Sequence, residues 1–105
     1  MPQFDVYRNP NSRTRSRVPY LLDVQSGLLE PLVTMVVVPL CRPAVLRGKA
    51  AERLNPIFEI EGRQVVMLTP ELAGIPAKAV GERVCSLATE RGAIIAALDM
   101  VFTGI

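Results

Sequence analysis

The sequence predicts a small α+β protein, mainly β, in which antiparallel strands form a strongly bent sheet or small barrel and one helix packs against it. Three observations carry this. Short alternating or β-branched stretches fill the first two thirds of the chain, turn formers separate them, and the only sustained helical pattern comes last. With 105 residues, half of them hydrophobic, the chain is predicted to fold as a single domain, residues 1–105, around its own core.

The elements follow in order. Gln3–Tyr7 (QFDVY) alternates as a strand, and the turn-rich NPNSRT stretch then forms a long hairpin loop. Val18–Val24 is a second strand, with Pro19 suited to its beginning, and Gln25-Ser26-Gly27 is a turn. Val33–Leu40 (VTMVVVPL) is β-branched and apolar on both faces, which predicts a central strand covered on both sides. Residues 41–55 permit a short helical turn and nothing longer. Ile57–Ile60 and Gln64–Leu68 pair across Glu61-Gly62, a compact hairpin signal. Ile75-Pro76 stops any helix there, and Ala77–Val80 is expected as one further strand. The helix starts near Ser86 or Thr89, both competent N-caps, and runs through Ala93–Phe102 to a C-terminal cap at Gly104.

That helix is apolar almost all round. Ile94, Leu98, Val101 and Ile105 follow one face, while Ile95, Met100 and Phe102 lie elsewhere on the wheel. A surface helix hides one stripe and shows a polar face, so one sheet covers only part of this one. A twofold homodimer is expected to bury the rest, with Ile94, Leu98, Val101 and Met100 at the interface. Asp99 is too costly to bury unpaired and is placed at the rim.

Composition narrows the function. A net charge of +2 does not by itself indicate nucleic acid, although Arg8, Arg13, Arg15 and Arg17 cluster in one stretch. That cluster is either a solvated loop or a basic patch for an acidic partner. The longest apolar run is broken by Asp99, so no membrane span is expected, and the N-terminus does not read as a secretion signal. Cys41 and Cys85 are isolated, and reduced thiols in a cytoplasmic protein are expected. The chain has no histidine, no nucleophile elbow, no phosphate loop and no metal-ligand spacing. It is therefore expected to be no enzyme, to have no catalytic residues and to use no metal or cofactor.

Five segments resemble the CcdB toxins in order and spacing: Gln3–Tyr7, Asp23-Val24-Gln25-Ser26, Val38-Pro39-Leu40, Ala73-Gly74-Ile75-Pro76 and Phe102-Thr103-Gly104-Ile105. The resemblance spans nearly the whole chain. It implies an SH3-like small barrel with a C-terminal helix at a dimer interface. It also implies a toxin of a type II toxin–antitoxin system that binds the DNA gyrase A subunit and traps the enzyme on cleaved DNA. A CcdA-like antitoxin would neutralise it, and the pair would repress their own operon, reaching operator DNA only through the antitoxin.

By the same resemblance, Thr103, Gly104 and Ile105 contact gyrase, flanked by Phe102 and Asp99. Leu28 and Leu29 either approach gyrase too or form a hydrophobic plug in their turn. The loop arginines Arg8, Arg13, Arg15 and Arg17 suit an acidic antitoxin tail. The best-known members of that family carry tryptophan before the final Gly-Ile, where this chain has Thr103. Two rival readings remain: a MazF/Kid-type endoribonuclease on the same barrel, and an interaction protein without toxicity.

Overall fold

The computed structural model describes residues 2–26 and 33–104. Seven strands and one α-helix are present among them: β1 Asp5–Arg8, β2 Tyr20–Asp23, β3 Thr34–Cys41, β4 Ile57–Ile60, β5 Arg63–Met67, β6 Ala73–Pro76, β7 Arg83–Ser86 and α1 Arg91–Thr103. The strands form one antiparallel sheet in the order β4-β5-β3-β2-β1-β7, with β6 added to β3. It curls into a half-barrel with α1 against its concave side.

β3 is the pivot. One edge pairs along β2 from Asp23↔Val37 to Tyr20↔Leu40. The other edge serves two partners: Thr34–Val37 pair with β6, while Leu40 and Cys41 pair with β5. Pro39 lies at the handover. Its carbonyl accepts from the Leu68 N–H at 2.9 Å. Backbone N and O of a strand residue point to the same side, so proline's missing donor faces the fork rather than β2. A proline in a central strand costs no ladder bond in this one place.

Both faces of β3 are covered, as its composition predicts. Val38 and Leu40 enter the main core with Tyr20, Leu22, Ile60 and Met67. Met35 and Val37 pack on the opposite face with Tyr7, Leu21 and Ile75. Ile94 and Ala97 of α1 complete the main core.

The β4–β5 hairpin turns on Glu61 (φ 54°) and Gly62 (φ 78°), with Ile60 opposite Arg63. Two successive left-handed residues match the right-handed twist of the strands. Cys41 and Cys85 are free thiols, and burial raises both above the usual range.

Some expected boundaries shift. β1 begins at Asp5 because Phe4 turns to φ 73°, held by Phe4 N–H to Asp23 O (2.7 Å) and Leu87 N–H to Phe4 O (2.8 Å). Ala77–Val80 is no strand: Ala77–Ala79 is a 3-10 turn, and the strands β6 and β7 flank it. Neither Ser86 nor Thr89 caps α1: Ser86 Oγ accepts from Ala88 N–H at 3.1 Å, Thr89 lies within the 3-10 turn Ala88–Glu90, and α1 starts later, at Arg91, after Glu90 and without a side-chain cap. The C-terminal cap is as expected: Gly104 is left-handed (φ 76°) and its N–H bonds Met100 O at 3.0 Å.

Ile94 is fully enclosed. Truncation to alanine leaves a cavity, so Ile94→Ala is expected to lower the unfolding free energy by about 3 kcal/mol, measured by urea denaturation.

Candidate functional site

The helix end is the first candidate. α1 buries only Ile94 and Ala97 completely. Ile95, Leu98, Met100 and Val101 are half-buried, Asp99 is exposed, and Phe102 is 68% exposed. Ile95, Leu98 and Phe102 follow one another at helical spacing (i, i+3, i+7), so they make a second apolar stripe beside the core-facing one. The expected interface group is thereby divided. Ile94 faces the chain's own core and has no surface left for a partner, while Leu98, Val101 and Met100 keep part of theirs. Phe102, assigned above to the tail, extends the open stripe.

The tail is set by its cap. Thr103 Oγ1 donates to Asp99 O at 2.7 Å, which ties that side chain back onto the last turn. Gly104 then turns the backbone out of the helix at a φ that an L side chain adopts only with strain. Leu28, Leu29 and Ile105 lie outside the described residues.

The hairpin loop is the second candidate, and it is a built structure. Asn9 Nδ2 donates to Thr14 Oγ1 (3.0 Å) and Val18 O (2.8 Å), while its Oδ1 accepts from Asn11 N–H (3.0 Å). Asn11 Oδ1 accepts from Arg13 N–H at 2.9 Å. Such local side-chain bonds hold a turn without help from a ladder. They present Arg13, Arg15 and Arg17 to solvent from an ordered frame.

Arg8 does not belong with them. It sits on β1 and makes a bidentate pair with Glu61, Nη1 to Oε1 at 3.0 Å and Nη2 to Oε2 at 2.7 Å. Its Nε also donates to Glu82 Oε1 at 2.8 Å. Tyr20 OH donates to Glu61 Oε1 at 2.5 Å. Arg8 is therefore occupied within its own chain and is withdrawn from the partner surface expected for it.

This cluster joins the β4–β5 tip to β1, β2 and the approach to β7, which are opposite ends of the sheet order. The Arg8 guanidinium, then the Tyr20 hydroxyl, pull the Glu61 carboxyl down to about 2. Burial, then the bond to Glu61, push Tyr20 up. Neither group changes charge near neutral pH.

The motif Asp23-Val24-Gln25-Ser26 also has a local task. Asp23 Oδ1 accepts from Gln25 N–H (2.9 Å), Gln25 Oε1 accepts from Val36 N–H (3.2 Å), and Val24 O accepts from Gln3 Nε2 (3.2 Å). The buried Asp23 carboxyl is raised by loss of water. These residues lock the exit of β2 onto β1 and β3.

Comparison with known proteins adds to this geometry. The sequence matches the CcdB protein family over residues 3–104. The chain belongs to the CcdB family. It is accordingly of the toxin–antitoxin toxin type. A solved structure with the same fold is an endoribonuclease in complex with its cognate antitoxin, from a mycobacterial species. It superposes with a TM-score of 0.73 at 11% identity, covering 97% of this chain and 94% of that one. At that identity the likeness concerns the barrel and helix alone. Among the described residues of this CcdB-family chain, no helix is long and apolar enough to cross a membrane.

The Glu61 clasp makes a pH prediction. Its carboxyl is depressed from 4.5 to about 2 in the folded chain, so its contribution is complete above pH 4.5 and disappears as pH falls toward 2. Glu61→Gln is expected to lower the melting temperature at pH 7 and to flatten the loss of stability between pH 4.5 and 2. Thermal melts across that range measure both.

Proposed function

We propose that this CcdB-family chain is a cytoplasmic, non-enzymatic toxin that binds the DNA gyrase A subunit as a homodimer and traps the cleaved-DNA complex. A CcdA-like antitoxin neutralises it and carries the pair to operator DNA. The observation that carries this reading is the apolar surplus at the end of α1. Phe102 is 68% exposed, and it continues the half-buried Ile95 and Leu98 toward a capped, outward-turning Gly104.

An exposed aromatic beside partly covered aliphatics is the composition of a protein contact. Two copies pairing through this stripe would cover Ile95 and Leu98 and set both tails near one twofold axis. A twofold target then meets them symmetrically. Ile105, next after Gly104 in the sequence, adds a further apolar group suited to a protein contact.

A ribonuclease on this barrel would need a group able to take and return a proton near neutrality. The tightest polar cluster, Arg8–Glu61–Tyr20, does not suit that role. Glu61 at about 2 is a weak base. The Arg8 guanidinium is shared between two carboxylates. This favours the gyrase reading over the enzymatic one.

The proposal is tested by inducing the chain in a sensitive bacterium. DNA breaks that a gyrase A allele suppresses support it, whereas rapid mRNA cleavage with no gyrase allele rescuing would overturn it. Removal of Gly104-Ile105 is expected to abolish inhibition of supercoiling while leaving the melting temperature within a few degrees. Tryptophan is the usual hot-spot residue, so Thr103→Trp is expected to tighten gyrase binding by about 2 kcal/mol, read by calorimetry. Leu98→Glu is expected to shift the dimer to monomer in analytical ultracentrifugation.

A further inference from the structure

The half-barrel leaves the outer edges of β4, β6 and β7 unpaired among the described residues, because β4 and β7 end the sheet order and β6 pairs only with β3. Two of these edges are blunted. Ala77 N–H donates to Val33 O at 2.8 Å, so Ile75 and Ala77 turn their backbone groups toward β3. Gly74 and Pro76 turn theirs outward, and the proline has no donor to offer there. On β7, Cys85 pairs with Val6 and Arg83 with Tyr7, so Val84 is an extra residue that bulges the strand. A bulge twists an edge away from further pairing.

β4 has neither device. Met67 N–H donates to Pro56 O at 3.0 Å, and Ile60 lies opposite Arg63 across the turn. Pro56, Phe58 and Ile60 therefore turn their backbone groups toward β5, and Ile57 and Glu59 turn theirs to the open edge. The strand is Ile-Phe-Glu-Ile, without proline or glycine, and Glu59 is its one charge.

The side chains on that edge define what fits it. Phe58 and Ile60 enter the main core, so Ile57 and Glu59 share the outer face. Ile57 is 56% exposed, and Glu59 is exposed. Across the hairpin Glu59 lies opposite Gln64. Among the described residues the ion pairs are Arg8 with Glu61 and Glu82, and Arg83 with Asp5, which leaves Glu59 without a cation.

We propose that β4 accepts an added strand from a partner protein, in which an aliphatic residue and a lysine or arginine stand two positions apart. Residues of the added strand opposite Ile57 and Glu59 would exchange about four backbone hydrogen bonds with them. Their side chains fall on the outer face, the aliphatic one against Ile57 and the cation against Glu59. A second copy of this chain fits less well. Two β4 edges paired with each other bring together two Glu59 carboxylates, and neither strand contains a cation. The inference rests on β4 alone and is independent of the gyrase reading.

The test is an amide NMR titration of the whole isotope-labelled chain with an acetylated peptide, Thr-Val-Thr-Lys repeated twice. Binding is expected to shift the amide signals of Ile57 and Glu59 and to slow their hydrogen exchange. Phe58 and Ile60, already turned to β5, should keep their exchange rates. Methylating the backbone nitrogens of the valines and lysines removes the donors aimed at β4 and is expected to weaken binding about tenfold. Methylating those of the threonines leaves these donors in place, and that peptide should bind as the parent does. Glu59→Lys is expected to bind the parent peptide about fivefold more weakly, and to prefer a peptide with glutamate in place of lysine.

Equal binding of the two methylated peptides, no shift at Ile57 and Glu59 with millimolar peptide, or a Glu59→Lys variant with unchanged preference would each overturn the proposal. Signals of Ile57 and Glu59 that move with the concentration of the chain alone would overturn it too, by giving the edge to a second copy. Supercoiling is not read in this titration. Failure of the toxin reading therefore appears in one assay and failure of this inference in the other.

Discussion

The divided edge of β3 is the constraint from which the remaining architecture follows. A strand whose two halves bind different partners cannot lie in a flat sheet, because β5 and β6 must leave its edge in different directions. The sheet therefore bends, its concave side needs filling, and α1 supplies Ile94 and Ala97 to fill it. Pro39 fits this arrangement because the donor it lacks would point into the fork. A residue able to donate there would gain a ladder partner only if one of the two strands extended past the handover.

Bending leaves a second requirement. A half-barrel has two free ends, and exposed strand edges are sites of unwanted pairing. Here the β4–β5 tip is drawn toward β1 and β7 by the contacts of Arg8 with Glu61 and Glu82. Both partners are well exposed, so the individual energies are small. Their geometry matters more than their strength: a bidentate fork and a phenol hydroxyl fix one carboxylate at the tip of a turn that demands two left-handed residues. The strain of placing Glu61 there is offset by its three hydrogen bonds.

Much of this was legible in the residues. The β-branched run of β3, the Glu61-Gly62 turn and the Gly104 cap announce themselves through local preferences. β6 and β7 did not. Ala73–Pro76 contains a glycine and a proline, and Arg83–Ser86 has one β-branched residue, so neither resembles a strand in isolation. They are strands because β3 and β1 offer edges to pair with, a tertiary effect that periodicity does not register. The same reason misplaced the strand at Ala77–Val80. For the candidate site, the apolar excess of the helix was visible, but the wheel does not say which stripe the sheet will take. It takes the one holding Ile94 and Ala97, which leaves Ile95, Leu98 and Phe102 at the side. Arg8 was grouped with its neighbours by sequence proximity, whereas strand pairing delivers it to Glu61 and Glu82 across the barrel.

These placements divide the charged surface by consequence rather than by count. The arginine that could close the barrel was used to close it, and those on the far side of the hairpin loop were not. The structure spends hydrogen bonds on presenting the latter: Asn9 and Asn11 order the loop, and Arg42 ties it to β3 through Ser16 and Arg17. Ordering a polar loop costs conformational entropy, and the core gains nothing from the guanidinium groups themselves. The end of α1 is different: Phe102 stands exposed beside Ile95 and Leu98, which the core covers only in part. The two surfaces call for chemically different occupants, and nothing in the packing obliges both to be filled by one molecule.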